Sequence, residues 1–185
     1  MKSTARHGTF FWLCEIRWAN FGETTTEEGH KVFVSAKEDK HEHGFLVNKD
    51  IVNTVMGCRP VCSRLITIRL RAVLFNITIE QAYVPTSDYD DKEIEEFWPA
   101  TECHWSDTEE GHSCVQGDWN AKVGKDAWGN WQSICGPFYN DDTNERGIRL
   151  LEFATFNDLV LANTFGHHRR WTWPNPNGQH HNRTV

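Results

Sequence analysis

No two cysteines in this sequence stand in a Cys-x-x-Cys pair, although there are six, at positions 14, 58, 62, 103, 114 and 135. Without a regular framework they read as reduced thiols of an intracellular protein, not as a disulfide scaffold. No apolar run approaches the roughly 20 residues of a membrane-spanning helix. Met1 to Arg6 is followed only by the short apolar run Phe10 to Cys14, without a small-residue cleavage pattern, so no signal peptide is read. A basic surplus is also missing. The formal charge is −7, which argues against tight non-specific binding to nucleic acid and requires any basic groove to be local. Arg64, Arg69, Arg71, Arg146, Arg149, Arg169 and Arg170 are the candidates for one, set against the plain reading of a solvated mixed surface.

What is present suits a folded chain. Hydrophobic residues make up 38% of 185, with nine Trp and eleven Phe, enough for one domain with a real core. No repeat and no linker divides the chain, so 1–185 is read as a single domain.

Phe10 to Cys14 reads as a buried strand, with Glu15 at its carboxyl end, where open α/β sheets place their ligands. Residues 19–31 are polar and Gly-rich and read as a loop. Lys31 to Ser35 alternates. Residues 38–44 are charged and read as a turn, although His41 and His43 could face a metal together if extended. Phe45 to Val47 is a short strand. Ser63 to Ala72 alternates, with Leu65, Thr67, Arg69 and Arg71 on one face and Ile66, Ile68 and Leu70 on the other. Residues 75–83 form its hairpin partner, ended by Pro85. An acidic helix is expected over 88–97.

Residues 99–113 have no periodicity. Cys103-His104 and His112-x-Cys114 could be drawn as a zinc site, but the spacing matches no established zinc motif. A helix begins near Thr143, capped by Thr143 or Asn144. Leu159 to Ala162 reads as a strand, and Arg170 to Trp173 is β-prone. Strands alternating with helices, and polar residues at strand ends, make an α/β fold.

Gly117-Asp118-Trp119-Asn120 stands out. In extended chain, Asp118 and Asn120 would face one site together. An ionised Asp accepts hydrogen bonds and an Asn amide donates two, the pairing needed to orient a water and hold a phosphate oxygen. The alternative is a plain Asx turn.

In chain order, Glu15, Tyr83 within Gln81-Ala82-Tyr83-Val84-Pro85, Asp118 and Asn120, and Trp171-Thr172-Trp173 resemble the ordered motifs of the endonuclease/exonuclease/phosphatase superfamily. More closely, the chain resembles the apurinic-endonuclease-like domain of non-LTR retrotransposons, over 24–28, 61–97, 116–164 and 171–182. The resemblance implies a four-layer α/β sandwich, two mixed sheets flanked by helices, truncated at both ends. It implies Mg²⁺- or Mn²⁺-dependent hydrolysis of phosphodiesters, with DNA as substrate.

By resemblance, Glu15 is the metal ligand and Tyr83 donates its hydroxyl toward the scissile phosphate. Asp118 orients or deprotonates the attacking water. Asn120 bonds a phosphate oxygen as charge builds there. Thr172 and Trp173 support the DNA-facing rim, unless Trp173 packs in the core.

The family's pattern also has an Asn-bearing strand before this sequence and an Ile-Asp pair and a Ser-Asp-His after it. Residues 99–113 depart from the family helix and strand, as a compensated frameshift would leave them. The expectation is therefore a phosphodiesterase of weak or no activity, or an inactive retrotransposon-derived fragment with residual nucleic-acid or metal binding.

Overall fold

The computed structural model describes residues 10–14, 22–37, 40–62, 64–85, 97–98, 101, 112–137, 142–166, 173–174 and 181–182. The chain divides into two compact units, Met1–Tyr83 with Ser106–Gly117, and Val84–Trp105 with Asp118–Val185.

The first unit holds two four-stranded sheets. In one, β1 (Phe10–Cys14), β4 (Lys40–Val47), β3 (Lys31–Lys37) and β2 (Gly22–Thr25) lie side by side in that order. Every pair is antiparallel. Two of these strands exceed what the sequence pattern offers. β2 falls in the expected loop; all four of its residues are exposed, so no apolar alternation marks it. β4 begins in the expected charged turn, because as an inner strand its backbone is paired on both sides, to β1 and to β3.

The other sheet runs β5 (Val55–Cys62), β6 (Leu65–Leu70), β7 (Ile77–Tyr83), β8 (His112–Asp118). β5, β6 and β7 are antiparallel. At one end of β8 the His112 N–H donates to Asn76 O at 3.0 Å, and at the other the Asp118 carbonyl accepts from Val84 N at 2.9 Å. Both chains ascend between these points, so β8 runs parallel to β7 and the sheet is mixed.

The expected hairpin is β6–β7, and its alternation is the one read from sequence. Ile66 and Ile68 face Phe33, Phe45 and Val47 of the first sheet, and all five are buried. Ile79, Leu70 and Cys58 pack around them. Burial pushes the Cys58 thiol up to about 12, helped by the Glu23 carboxylate, which makes it an inert packing residue. Leu65, Thr67, Glu80 and Ala82 are buried on the opposite face. The result is an α/β sandwich built on two facing sheets. Neither closes into a barrel among the described residues.

In the second unit, α1 (Glu145–Phe156) starts after Asn144, whose side chain accepts from Gly147 N. It buries Gly147, Leu150, Leu151, Phe153 and Ala154. The expected strand at 159–162 is instead a single bridge between Cys135 and Leu161, followed by a 3-10 turn over Ala162–Thr164. Val160 is 58% exposed, so this apolar run is not a core strand. A short ladder joins β9 (Trp173–Pro174) to β10 (His181–Asn182). No helix of the described residues is long and apolar enough to cross a membrane. The expected helix over 88–97 lies outside the described residues apart from Phe97, which is buried.

Candidate functional site

Gly117 has φ +145°, and a Cβ built on it would sit 1.8 Å from the Ala82 carbonyl oxygen. Only glycine lets β8 approach β7 this closely. Asp118 follows, and its Oδ1 accepts from the Asn120 N–H at 3.0 Å. That is an Asx turn. Asn120 then adopts φ +46°, a left-handed conformation that Asn tolerates better than most residues. The chain is therefore not extended through Asn120, and the simple same-side argument from extended backbone does not describe it. The turn itself ties the Asp118 carboxylate to the Asn120 backbone.

The Asn120 carboxamide is anchored as well. Its Nδ2 donates to Val84 O at 2.6 Å, while Val84 N–H donates to Asp118 O at 2.9 Å. One Asp118 carboxylate oxygen is thus engaged in the turn, and one Asn120 amide hydrogen is engaged by Val84. Among the described residues the second oxygen and the second hydrogen have no such partner, which leaves them for chemistry. Asp118 and Asn120 are both half-buried, so neither group is lost to the interior.

Between them, Trp119 is buried, only 6% exposed. Its ring stacks on Trp98, with centroids 6.0 Å apart and planes at 26°, and meets Phe153 of α1 at 5.7 Å. The motif is therefore split by a buried anchor that sets the turn against its own unit.

The loop that follows is tied to the start of α1. Asn144 Oδ1 accepts from Gly147 N at 2.8 Å and from Lys122 N at 3.0 Å. Thr143 Oγ1 accepts from Gly124 N at 2.9 Å and donates to Asp126 Oδ1 at 2.7 Å. The Thr143 hydroxyl holds the Asp126 carboxyl below its usual range. Because Asn144 both caps the helix and holds the loop, Asn144→Ala is expected to cost about 1–2 kcal/mol. Urea denaturation measures this; a change within error of zero would show that water replaces both bonds.

Tyr83 belongs to the first unit, at the end of β7, half-buried. Its N–H donates to Arg64 O at 3.0 Å, and the Arg64 guanidinium lies 5.7 Å from its ring centroid. Arg64 is 5% exposed, so it is no member of a solvated surface. A cation this close to the ring face is attracted to it and restricts it.

Glu15 and Thr172 lie outside the described residues, as do Cys103, His104, Arg169 and Arg170. Trp173 enters through its backbone, which pairs with Asn182 in the β9–β10 ladder. Among the described residues, no three His, Cys, Asp or Glu side chains gather as a metal cluster. Two residues that sequence reading placed only in a general list of arginines are singled out by the structure, Arg64 beneath Tyr83 and Arg146 against Pro85.

No protein-family model matches the chain. It is 30% identical over 174 residues to craniofacial development protein 2 of Bos taurus, across 91% of this chain and 29% of that protein. It is likewise 30% identical over 173 residues to craniofacial development protein 2 of Tragulus javanicus, across 90% and 29%. The chain thus spans less than a third of the length of these relatives. Among solved structures it is similar to the endonuclease domain of TRAS1, a telomere-specific non-LTR retrotransposon, with a TM-score of 0.48 and 16% identity, over 69% of this chain and 52% of that one.

Proposed function

We propose that this chain, homologous to craniofacial development protein 2 and carrying an endonuclease-like domain, is a metal-dependent phosphodiesterase that acts on DNA. The observation that carries the reading is the ordered turn at Gly117-Asp118-Trp119-Asn120. In it one Asp118 carboxylate oxygen accepts from the Asn120 N–H and one Asn120 amide hydrogen is donated to Val84 O, so both side chains are held while each keeps a second polar atom without a hydrogen-bond partner among the described residues. A group fixed in advance stabilises developing charge without reorganising at the moment of reaction.

In this reading the remaining Asp118 oxygen accepts a proton from, or orients, the attacking water. The remaining Asn120 N–H donates to a non-bridging phosphate oxygen as negative charge grows on it. Tyr83 contributes a phenolic hydroxyl toward the scissile phosphate, its ring restrained by Arg64. Thr172 and Trp173 contribute to the DNA-facing rim.

The metal ligand that the resemblance assigns is an oxygen donor, the carboxylate of Glu15. A carboxylate suits a hard cation that keeps several waters, hence Mg²⁺ or Mn²⁺, with Glu15 as its protein ligand. When bound, such an ion polarises the phosphoryl group and neutralises the leaving oxygen.

The test is nicking of supercoiled plasmid by the purified protein with Mg²⁺. Conversion to open circles is expected, and it should disappear with EDTA and in Asp118→Ala. A folded protein that leaves the plasmid supercoiled would overturn the phosphodiesterase reading. Retained binding to the same plasmid in that case would mark a domain that holds nucleic acid without cutting it.

A further inference from the structure

The two residues Val84 and Pro85 form a short strap whose backbone groups are all engaged within the second unit. Proline has no N–H, so the strap carries one donor and two acceptors. Val84 N–H donates to Asp118 O at 2.9 Å. Val84 O accepts from Asn120 Nδ2 at 2.6 Å. Pro85 O accepts from the Arg146 guanidinium, Nη1 being the donor. Arg146 stands in the first turn of α1, is half-buried, and makes no ion pair among the described residues. Its charge is directed at a backbone carbonyl 61 residues away in sequence.

We infer that Arg146 is a positioning residue for the Asn120 carboxamide. Two consecutive carbonyls, at Val84 and Pro85, are held by Asn120 and by Arg146. A peptide chain cannot rotate one carbonyl freely while the next is clamped, because each peptide unit is planar and only two dihedrals separate neighbours. By fixing the Pro85 carbonyl, Arg146 fixes the direction of the Val84 carbonyl. That carbonyl in turn sets the plane of the Asn120 amide and the direction of its remaining hydrogen. Arg146 thus acts through the strap on the group that would meet the phosphate.

A guanidinium is suited to this task, since its planar fork loses little freedom per bond formed. A hydrogen bond from a charged donor is also stronger than a neutral one. The inference deepens the phosphodiesterase reading and rests on it, but its structural half can be read without any turnover.

The experiment compares Arg146→Gln and Arg146→Lys with the wild-type chain and with Arg149→Gln, one turn along the same helix. Two quantities are measured on each protein. The first is the pair of Asn120 side-chain amide proton resonances, assigned by their loss in Asn120→Asp. In the wild type one proton, bonded to Val84 O, is expected to be separated from the other and slow to exchange. In Arg146→Gln the separation should shrink and exchange quicken, while Arg146→Lys recovers part of the difference and Arg149→Gln changes nothing. Should Arg146→Gln fail to fold, Arg146→Lys carries the same comparison, because it keeps the charge but loses the fork.

The second quantity is plasmid nicking, with kcat and KM separated. Misplacing a reacting group by a fraction of an ångström to an ångström costs roughly tenfold to a hundredfold in rate. A fall of at least about tenfold in kcat is therefore expected for Arg146→Gln, with KM changed far less. An Asn120 amide pair unaltered in a folded Arg146→Gln protein overturns the inference, whatever the nicking result. A kcat unaltered while the amide pair moves overturns it too, since the amide direction would then be without consequence. A wild-type protein that does not nick, with an amide pair that responds to Arg146, leaves the positioning intact and defeats the phosphodiesterase reading instead.

Discussion

Gly117→Ala is expected to destabilise the domain by about 4 kcal/mol or more, near the upper end for single substitutions. The new methyl carbon would lie 1.8 Å from Ala82 O, 2.7 Å from Ala82 C and 3.0 Å from Ala82 N. All three atoms are backbone, so no side chain can swing aside to relieve the clash. The φ of +145° adds strain for any residue with a Cβ. Relief requires β8 to pull away from β7, which breaks the parallel ladder between them. Gly57→Ala is the control. It sits on the edge strand β5 with nothing within 4 Å of the added carbon, and a strand glycine replaced by alanine changes stability by about 1 kcal/mol or less. Urea denaturation of the three proteins decides. Equal midpoints for Gly117→Ala and wild type would show that the close approach of β7 and β8 does not exist in solution.

The same residue shows how far the sequence could be read. A glycine before an Asp-x-Asn signalled a sharp turn, and the structure has one. Alternation revealed β6 and β7 because each strand has a distinct buried set on each face. The Asn144 cap was legible because capping depends on a side chain within three residues of its target.

What remained hidden depended on distant partners. β5 contains Gly57 and Pro60 and is interrupted by irregularities between Val55 and Gly57 and between Pro60 and Cys62. Its alternation is broken, and it exists as a strand because β6 templates it. Proline and bulges suit an edge strand, where they discourage further pairing. β2 offers no apolar pattern at all. The Leu159 to Ala162 run looked like a strand, yet its only ladder contact is the bridge at Leu161 among the described residues.

At the candidate site the sequence offered Asp118 and Asn120 as a pair, but not the local conformation that holds them. It depends on the left-handed turn at Asn120 and on Val84, 36 residues away. Arg64 and Arg146 were indistinguishable from surface arginines, because a cation's burial is set by what folds over it and leaves no mark on its neighbours in sequence.

Stability should fall as pH rises from about 4.5 to about 7, and one buried acid is the reason. Glu80 lies in the middle of β7 and is 0% exposed. Burial raises its carboxyl from the ordinary 4.5 to about 7, against the opposing pull of Arg59. The strand registers explain that pull. Arg59 pairs with Thr67 on β6, and Thr67 pairs with Glu80 on β7, so the three form a row across the sheet on one face. The cation is two strands away and does not cancel the cost of removing a carboxylate from water.

The sign follows from proton binding. Between about 4.5 and about 7 the folded protein retains the Glu80 proton and the unfolded chain has released it. The unfolded state then binds fewer protons, so stability declines across that window and levels off above it. The span of about 2.5 pKa units corresponds to something on the order of 3 kcal/mol. Glu80→Gln keeps the shape and removes the titration. It should match the wild type near pH 4 and exceed it by on the order of 3 kcal/mol at pH 8, with urea midpoints measured at intervals between. Arg59→Met should act in the opposite direction at pH 8, since it removes a charge that favours the ionised form. If the wild-type and Glu80→Gln curves run parallel from pH 4 to pH 8, the buried acid is not what sets the pH dependence.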